Sequence, residues 1–348
     1  MNARFVLAVG SGLLMLGFAT GLTVSTAASE PAQPSSEDPA SVQEPTPDPT
    51  SESPDGTADQ TASETPTTTA IAETIDPWIQ VSGTVWRMKQ GFVFLRTPVG
   101  LLTLTCQTCL RDLRGVHHVT LWIHGSHGAV EITVKGQDQP RHRYLWGPPV
   151  FASPDKKDLL LWTPEGERTF SVGTLASKIA SHPAGKPLTV EVNAAGAVIG
   201  LHNMQYDLQI SQVPTHSNHT EMKISGSVAK LKAGYTFLRT PVGMLPISSK
   251  TGLKQAKVGQ DLTLWIHDTN MAVELRPNGQ DQPTSRLLTG KLTYSTPEKR
   301  ELTLWTPEGE QQFPADPAKG PLTGLKEGSP VIVELNGEGS VVEIRKGH

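Results

Sequence analysis

With 348 residues, 36% of them hydrophobic, and a formal net charge of −4, the chain is long enough to build several small cores. The charge is unevenly spread: residues 29–77 hold 11 acidic residues and no Lys or Arg, and Arg4 adds one positive charge, so residues 78–348 carry +6. Without a Lys/Arg block, that excess lacks the concentrated basic stripe of a nucleic-acid footprint, and no nucleic acid is expected as a partner.

The first element is targeting sequence. Met1-Asn2-Ala3-Arg4 gives a positive start, Phe5 to Val24 is apolar and uncharged, and Ser25-Thr26-Ala27-Ala28 offers small residues for cleavage. Residues 1–28 therefore read as a secretory signal peptide. The competing reading is an uncleaved anchor, since about 20 apolar residues just span a bilayer. No Cys follows the apolar run, which excludes lipoprotein anchoring. Either way the protein is expected to be exported, periplasmic or secreted, and to meet a membrane only through this segment if it is uncleaved. Residues 29–77, rich in Pro, Ser, Thr and acid, are expected to form a disordered tether, because they lack the apolar area that would offset chain entropy.

Beyond the tether the chain repeats itself. Val81–Glu167 aligns without a gap on Ile224–Glu310, and 41 of the 87 positions are identical. Matched runs include Phe94-Leu-Arg-Thr-Pro-Val-Gly100 with Phe237-Leu-Arg-Thr-Pro-Val-Gly243, and Thr120-Leu-Trp-Ile-His124 with Thr263-Leu-Trp-Ile-His267. Each copy divides again by pattern, giving a first repeat over 78–204 (modules 79–135 and 143–204), a linker over 205–221, and a second repeat over 222–348 (modules 222–278 and 287–346).

Each module reads as short strands. A Gly-x-Val start leads into Thr-Pro-x-Gly, where Pro presets φ and Gly accommodates the exit of a hairpin turn. A short apolar strand and a linking turn follow. Val119–His124 then alternates, with Val119, Leu121 and Ile123 on one face and Thr120, Trp122 and His124 on the other. Only Gly173–Ser181 looks helical. The expected fold class is all-β: tandem small five-stranded OB- or SH3-like barrels in two duplicated pairs. The order Gly-x-Val, Leu-x-Thr-Pro-x-Gly, Leu-x-Leu, the spaced pair Leu253 and Gly259, a Leu-Trp-Ile strand and an Ala-Val-Glu strand resembles the small OB-like domains of uncharacterised exported bacterial proteins. That resemblance implies a fold and carries no activity.

The candidate chemistry is sparse. Cys106-Gln107-Thr108-Cys109 is followed by Leu110, so the haem-attachment pattern is absent, and it follows a strand, unlike a thioredoxin-type motif. A local disulfide, Cys106–Cys109, is the plain expectation outside the cytoplasm. The alternative is a zinc or copper site in which His117, His118, His124 and His127 join the two thiolates. Of these ligands only His124 has a counterpart (His267) in the second repeat.

A second constellation comes from comparing modules. Arg96, Arg239, Trp162 and Trp305 precede the Thr-Pro turns, while Trp122, Trp265, Glu191 and Glu334 lie on the fourth strands. Paired modules would bring two Trp, one Arg and one Glu together, as an interface or as a platform for a flat ligand. Asn218-His219-Thr220 is a glycosylation sequon. There is no Gly-x-Ser-x-Gly elbow, phosphate-binding Gly loop or His-Glu-x-x-His, so no cofactor and no catalysis are expected. The expectation is a non-catalytic exported protein that binds a protein or polymer of the cell envelope or serves as a scaffold. The alternative is a metal-binding or redox-responsive envelope protein.

Overall fold

The structure is a computed structural model that describes residues 76–110, 113, 115, 117–137, 139–183, 185–216, 219–294, 300–314 and 325–347. The signal segment, nearly all of the tether and Asn218 of the sequon lie outside the described residues.

The chain is all-β. In order the strands are β1 (Trp78–Lys89), β2 (Phe92–Thr97), β3 (Gly100–Cys106), β4 (His117–His124), β5 (His127–Val134), β6 (His142–Gly147), β7 (Val150–Phe151), β8 (Asp158–Thr163), β9 (Gly166–Ser171), β10 (Leu188–Asn193), β11 (Val198–His202) and β12 (Met204–Ile210). They continue as β13 (Glu221–Lys232), β14 (Tyr235–Thr240), β15 (Gly243–Ser248), β16 (Asp261–His267), β17 (Asn270–Arg276), β18 (Ser285–Lys291), β19 (Thr293–Tyr294), β20 (Glu301–Thr306), β21 (Gly309–Pro314), β22 (Pro330–Asn336) and β23 (Val341–Lys346). The helical content falls where Gly173–Ser181 reads as helical, as a 3₁₀ turn at Gly173–Leu175 and α1 (Ala176–Ala180). A second 3₁₀ turn lies at Ser249–Thr251.

Four groups of strands share one pairing order. In the first, β1 pairs with β2 through its second half and with β4 through its first, and β3 and β5 flank them, giving β3-β2-β1-β4-β5. Next along the chain the long first strand is split into β6 and β7, because Pro148 and Pro149 lack the N–H a central ladder needs. The order is otherwise kept: β9-β8-β7 and β6-β10-β11. β13–β17 and β18–β23 follow the same pattern. Even the bulges correspond, between Val85 and Arg87 and between Val228 and Lys230.

The strands form for legible reasons. Val119, Leu121 and Ile123 of β4 are buried, while Thr120 and Trp122 are half-buried and His124 is exposed. At each Thr-Pro turn the Thr hydroxyl donates to the Gly carbonyl three residues on: Thr97 to Gly100 at 2.9 Å, Thr163 to Gly166 at 2.6 Å, Thr240 to Gly243 at 2.7 Å and Thr306 to Gly309 at 2.7 Å. Gly83 and Gly226 allow close strand approach, because a Cβ there would meet the carbonyl oxygens of Arg96 and Arg239 at 2.8 and 2.2 Å.

The stretch expected as a linker over 205–221 contains most of β12, which pairs antiparallel with β3 from Met204↔Cys106 to Ile210↔Gly100 and meets β15 in parallel at Ile210↔Ile247. Leu208 and Ile210 point inward and Asp207 and Gln209 outward, the period-two pattern of a half-buried strand. With β1–β13 pairing at Trp78↔Lys223, this ties both repeats into one 17-stranded sheet. One core runs through β1–β5 and β12–β17, and two smaller cores lie beneath β8/β10 and β20/β22. No helix among the described residues is long and apolar enough to cross a membrane.

Candidate functional site

Two places gather chemistry. The first lies at the end of β3. Gln107-Thr108-Cys109 turns back so that the Cys109 N–H points to Cys106 Sγ at 3.1 Å, and the two cysteines are joined by a disulfide. Cys106 and Cys109 are 1% and 6% exposed. A surface cleft of about 260 Å³, bounded by Lys89, Phe92, Gln107 and Leu110, reaches both.

His202, the last residue of β11, closes this loop from the neighbouring module. Its Nδ1 lies 2.8 Å from the Thr108 hydroxyl and its Nε2 2.9 Å from Glu191 Oε2. A carboxylate oxygen accepts, so Nε2 carries a hydrogen and Nδ1 faces the hydroxyl of the cysteine loop. Glu191 Oε1 lies 2.9 Å from His142 Nδ1, and the Tyr144 ring meets His202 edge-on at 5.6 Å. Among the described residues, the His, Cys and carboxylate atoms that converge within 4.8 Å of one another are those of Cys106, Cys109 and His202.

The other expected metal ligands sit elsewhere. His117 is buried and lines a cleft with Cys109, Tyr144 and Glu191 without entering that group. His118 follows it on β4. His124 and His127 face each other across the β4–β5 hairpin, at the far end of β4. There His124 stacks on Trp162 at 5.3 Å, and Trp78 meets Trp122 and Trp162 edge-on at 6.4 and 6.3 Å. In the second repeat His267 stacks on Trp305 at 5.4 Å. Trp122, Trp162, Trp265 and Trp305 are half-buried and cover the two smaller cores.

Arg96 and Glu191 do not meet, since Arg96 lies over the exposed Trp86 ring at 4.8 Å and Glu191 is held by the two histidines. Arg239 is exposed and Glu334 is buried on β22. Arg–Glu contacts are made nearby by other residues. Arg143 Nε lies 2.9 Å from Glu131 Oε1, and the guanidinium also binds Glu165. Arg286 likewise binds Glu274 and, at 2.9 Å, Glu308. Burial pushes the Glu131 carboxyl up against the pull of Arg143. At Glu165 and Glu308 burial acts upward too, but the arginine and threonine hydrogen bonds outweigh it and hold both carboxyls low.

The second place is the outer face of β1-β2-β3-β12 and β15-β14-β13. Register sets a cation opposite an aromatic ring four times: Arg87↔Phe94, Lys89↔Phe92, Lys230↔Phe237 and Lys232↔Tyr235. Lys230 Nζ lies 4.4 Å from the centre of the Phe237 ring, and Phe92 and Phe94 stack at 6.3 Å. Phe92 and Trp86 are exposed on this face, whereas the exposed Met88 and Leu231, cross-strand from the buried Val93 and Thr236, lie on the other. β12 joins the two halves, with Gln209 Nε2 donating to the Tyr235 hydroxyl at 2.7 Å. Arg96 and Arg239 border the same face, and Asp207 and Glu221 are acids on it. Spacing alone does not reveal these pairs, because the two partners meet only through strand register.

No protein-family model matches the chain, and no curated protein matches it.

Proposed function

We propose that this is a non-catalytic exported binding protein whose outer sheet face holds an acidic polysaccharide of the cell envelope. In this reading residues 1–28 export the chain, residues 29–77 tether it, and four OB-like barrels in two duplicated pairs form the binding body. The strand order β3-β2-β1-β4-β5, repeated along the chain, supports the barrel reading. Ser171 and Ala197 make a parallel bridge in the second module, which brings its third and fifth strands together.

The observation that carries the proposal is the fourfold cation–aromatic pairing. Rings offer flat apolar surface to the C–H faces of sugars, and the adjoining Lys and Arg offer charge to carboxylates at the same spacing. Four rings and six basic side chains against two acids, Asp207 and Glu221, make the face complementary to an anionic polymer. Export makes an envelope polysaccharide the matching partner. Titrating the full chain with polygalacturonate, with neutral dextran and with single-stranded oligo-dT tests this. Binding to polygalacturonate alone supports the reading; preference for oligo-dT, or no binding, overturns it.

A further inference from the structure

We propose that Cys106, Cys109 and His202 form a redox-gated site for a zinc-class divalent cation. Two cysteines three residues apart can chelate one ion, and His202 brings a nitrogen from the adjacent module to within 4.8 Å of both sulfurs. Bonds of about 2.0–2.3 Å in a tetrahedral site place ligand atoms roughly 3.5–3.8 Å apart, so closure needs movements of only about 1–2 Å. Glu191 supplies what a ligating histidine ordinarily has, a carboxylate on the other ring nitrogen that fixes the tautomer, and Nδ1, now 2.8 Å from the Thr108 hydroxyl, would exchange that contact for the ion.

The second repeat provides an internal contrast. The positions of Cys106, Cys109 and His202 are taken there by Ser249, Gly252 and Arg345. Arg345 Nη2 donates to the Gly252 carbonyl at 3.0 Å, so the same strand end touches the same loop with no ligand atom on either side. Thr251 and Glu334 repeat Thr108 and Glu191, so the scaffold is retained and the ligand set is particular to the first copy.

The disulfide is the gate. Reduction by a dithiol delivers two electrons and two protons, breaks the S–S bond and leaves the reductant as its own disulfide. The ion then displaces both thiol protons to solvent and forms two S–metal bonds and one N–metal bond, with water in the fourth position. A disulfide-class oxidant closes the cycle: it takes the two thiolate electrons and two protons from solvent and leaves as its dithiol, while the S–S bond reforms and the ion is released.

The test uses Co²⁺ as the probe on the full chain, reduced with a phosphine and compared with untreated protein. One equivalent should bind the reduced chain with thiolate-to-cobalt charge-transfer absorption, and zinc should displace it. The oxidised chain should show no such absorption. His202→Ala should weaken binding tenfold or more, and Glu191→Gln by about tenfold. Cys109→Ser should abolish the absorption and Arg345→Ala should leave it unchanged, and circular dichroism like that of the native chain in every variant guards against misfolding as the cause. A reduced chain without the absorption, or an unchanged affinity in His202→Ala, overturns the proposal.

Discussion

His202 Nε2 and Glu191 Oε2 lie 2.9 Å apart on the neighbouring strands β11 and β10, and Gly200, cross-strand from Glu191, makes that contact possible. A Cβ at position 200 would fall 2.6 Å from His202 Nε2. At the corresponding place the second repeat has Glu343, beside Arg345.

Gly200→Ala is therefore expected to push the imidazole off Glu191 and destabilise the protein by about 1–3 kcal/mol, the usual range for overpacking. Glu343→Ala, at a half-exposed side chain, should stay within about 0.5 kcal/mol. Urea denaturation of the two variants checks both values.

The Arg143 and Arg286 clusters predict an acid limb of stability. Glu165 and Glu308 are held below their ordinary value of 4.5, so their contribution is present above that pH and is lost as pH falls through the folded value. Glu131 is raised and acts oppositely, contributing below 4.5 and losing that contribution as pH rises through its folded value. Arg143→Met should cost about 2 kcal/mol at neutral pH. The loss should shrink in acid, where protonated Glu165 no longer needs the guanidinium. Equal losses in denaturation curves on both sides of pH 4.5 would contradict this assignment.

Tyr206 predicts the alkaline limb. Burial pushes its hydroxyl from 10.0 up to about 12, and it donates to the Val242 carbonyl of the second repeat at 3.3 Å. Its contribution is intact below pH 10 and is lost as pH rises through the folded value. Tyr206→Phe should cost about 1 kcal/mol at neutral pH. It should also remove the step near pH 12 from the tyrosinate absorbance titration.

The strands and turns were legible because their signals are local: alternation in Val119–His124, and Thr-Pro-x-Gly closing its own hydrogen bond at Thr97 and Gly100. β12 was hidden because a segment whose partners lie a hundred residues away, such as Leu208 with Leu102, looks in isolation like polar linker. His202 was missed for the same reason, since its approach to Thr108 is set by the packing of two modules and not by spacing. The pairing of Arg87 with Phe94 depends on the bulge between Val85 and Arg87. A slip of one residue would move both side chains to the other face, so only register identifies the binding face.

Binding of an acidic polysaccharide to the cation–aromatic face can be measured by calorimetric titration of the full chain and of a Phe94→Ala/Phe237→Ala double variant with a galacturonate oligomer. The native chain should bind with an affinity that falls with added salt, and the variant should lose about 1–2 kcal/mol per ring removed. Equal affinity in the two proteins, or binding indifferent to salt, would contradict binding at this face.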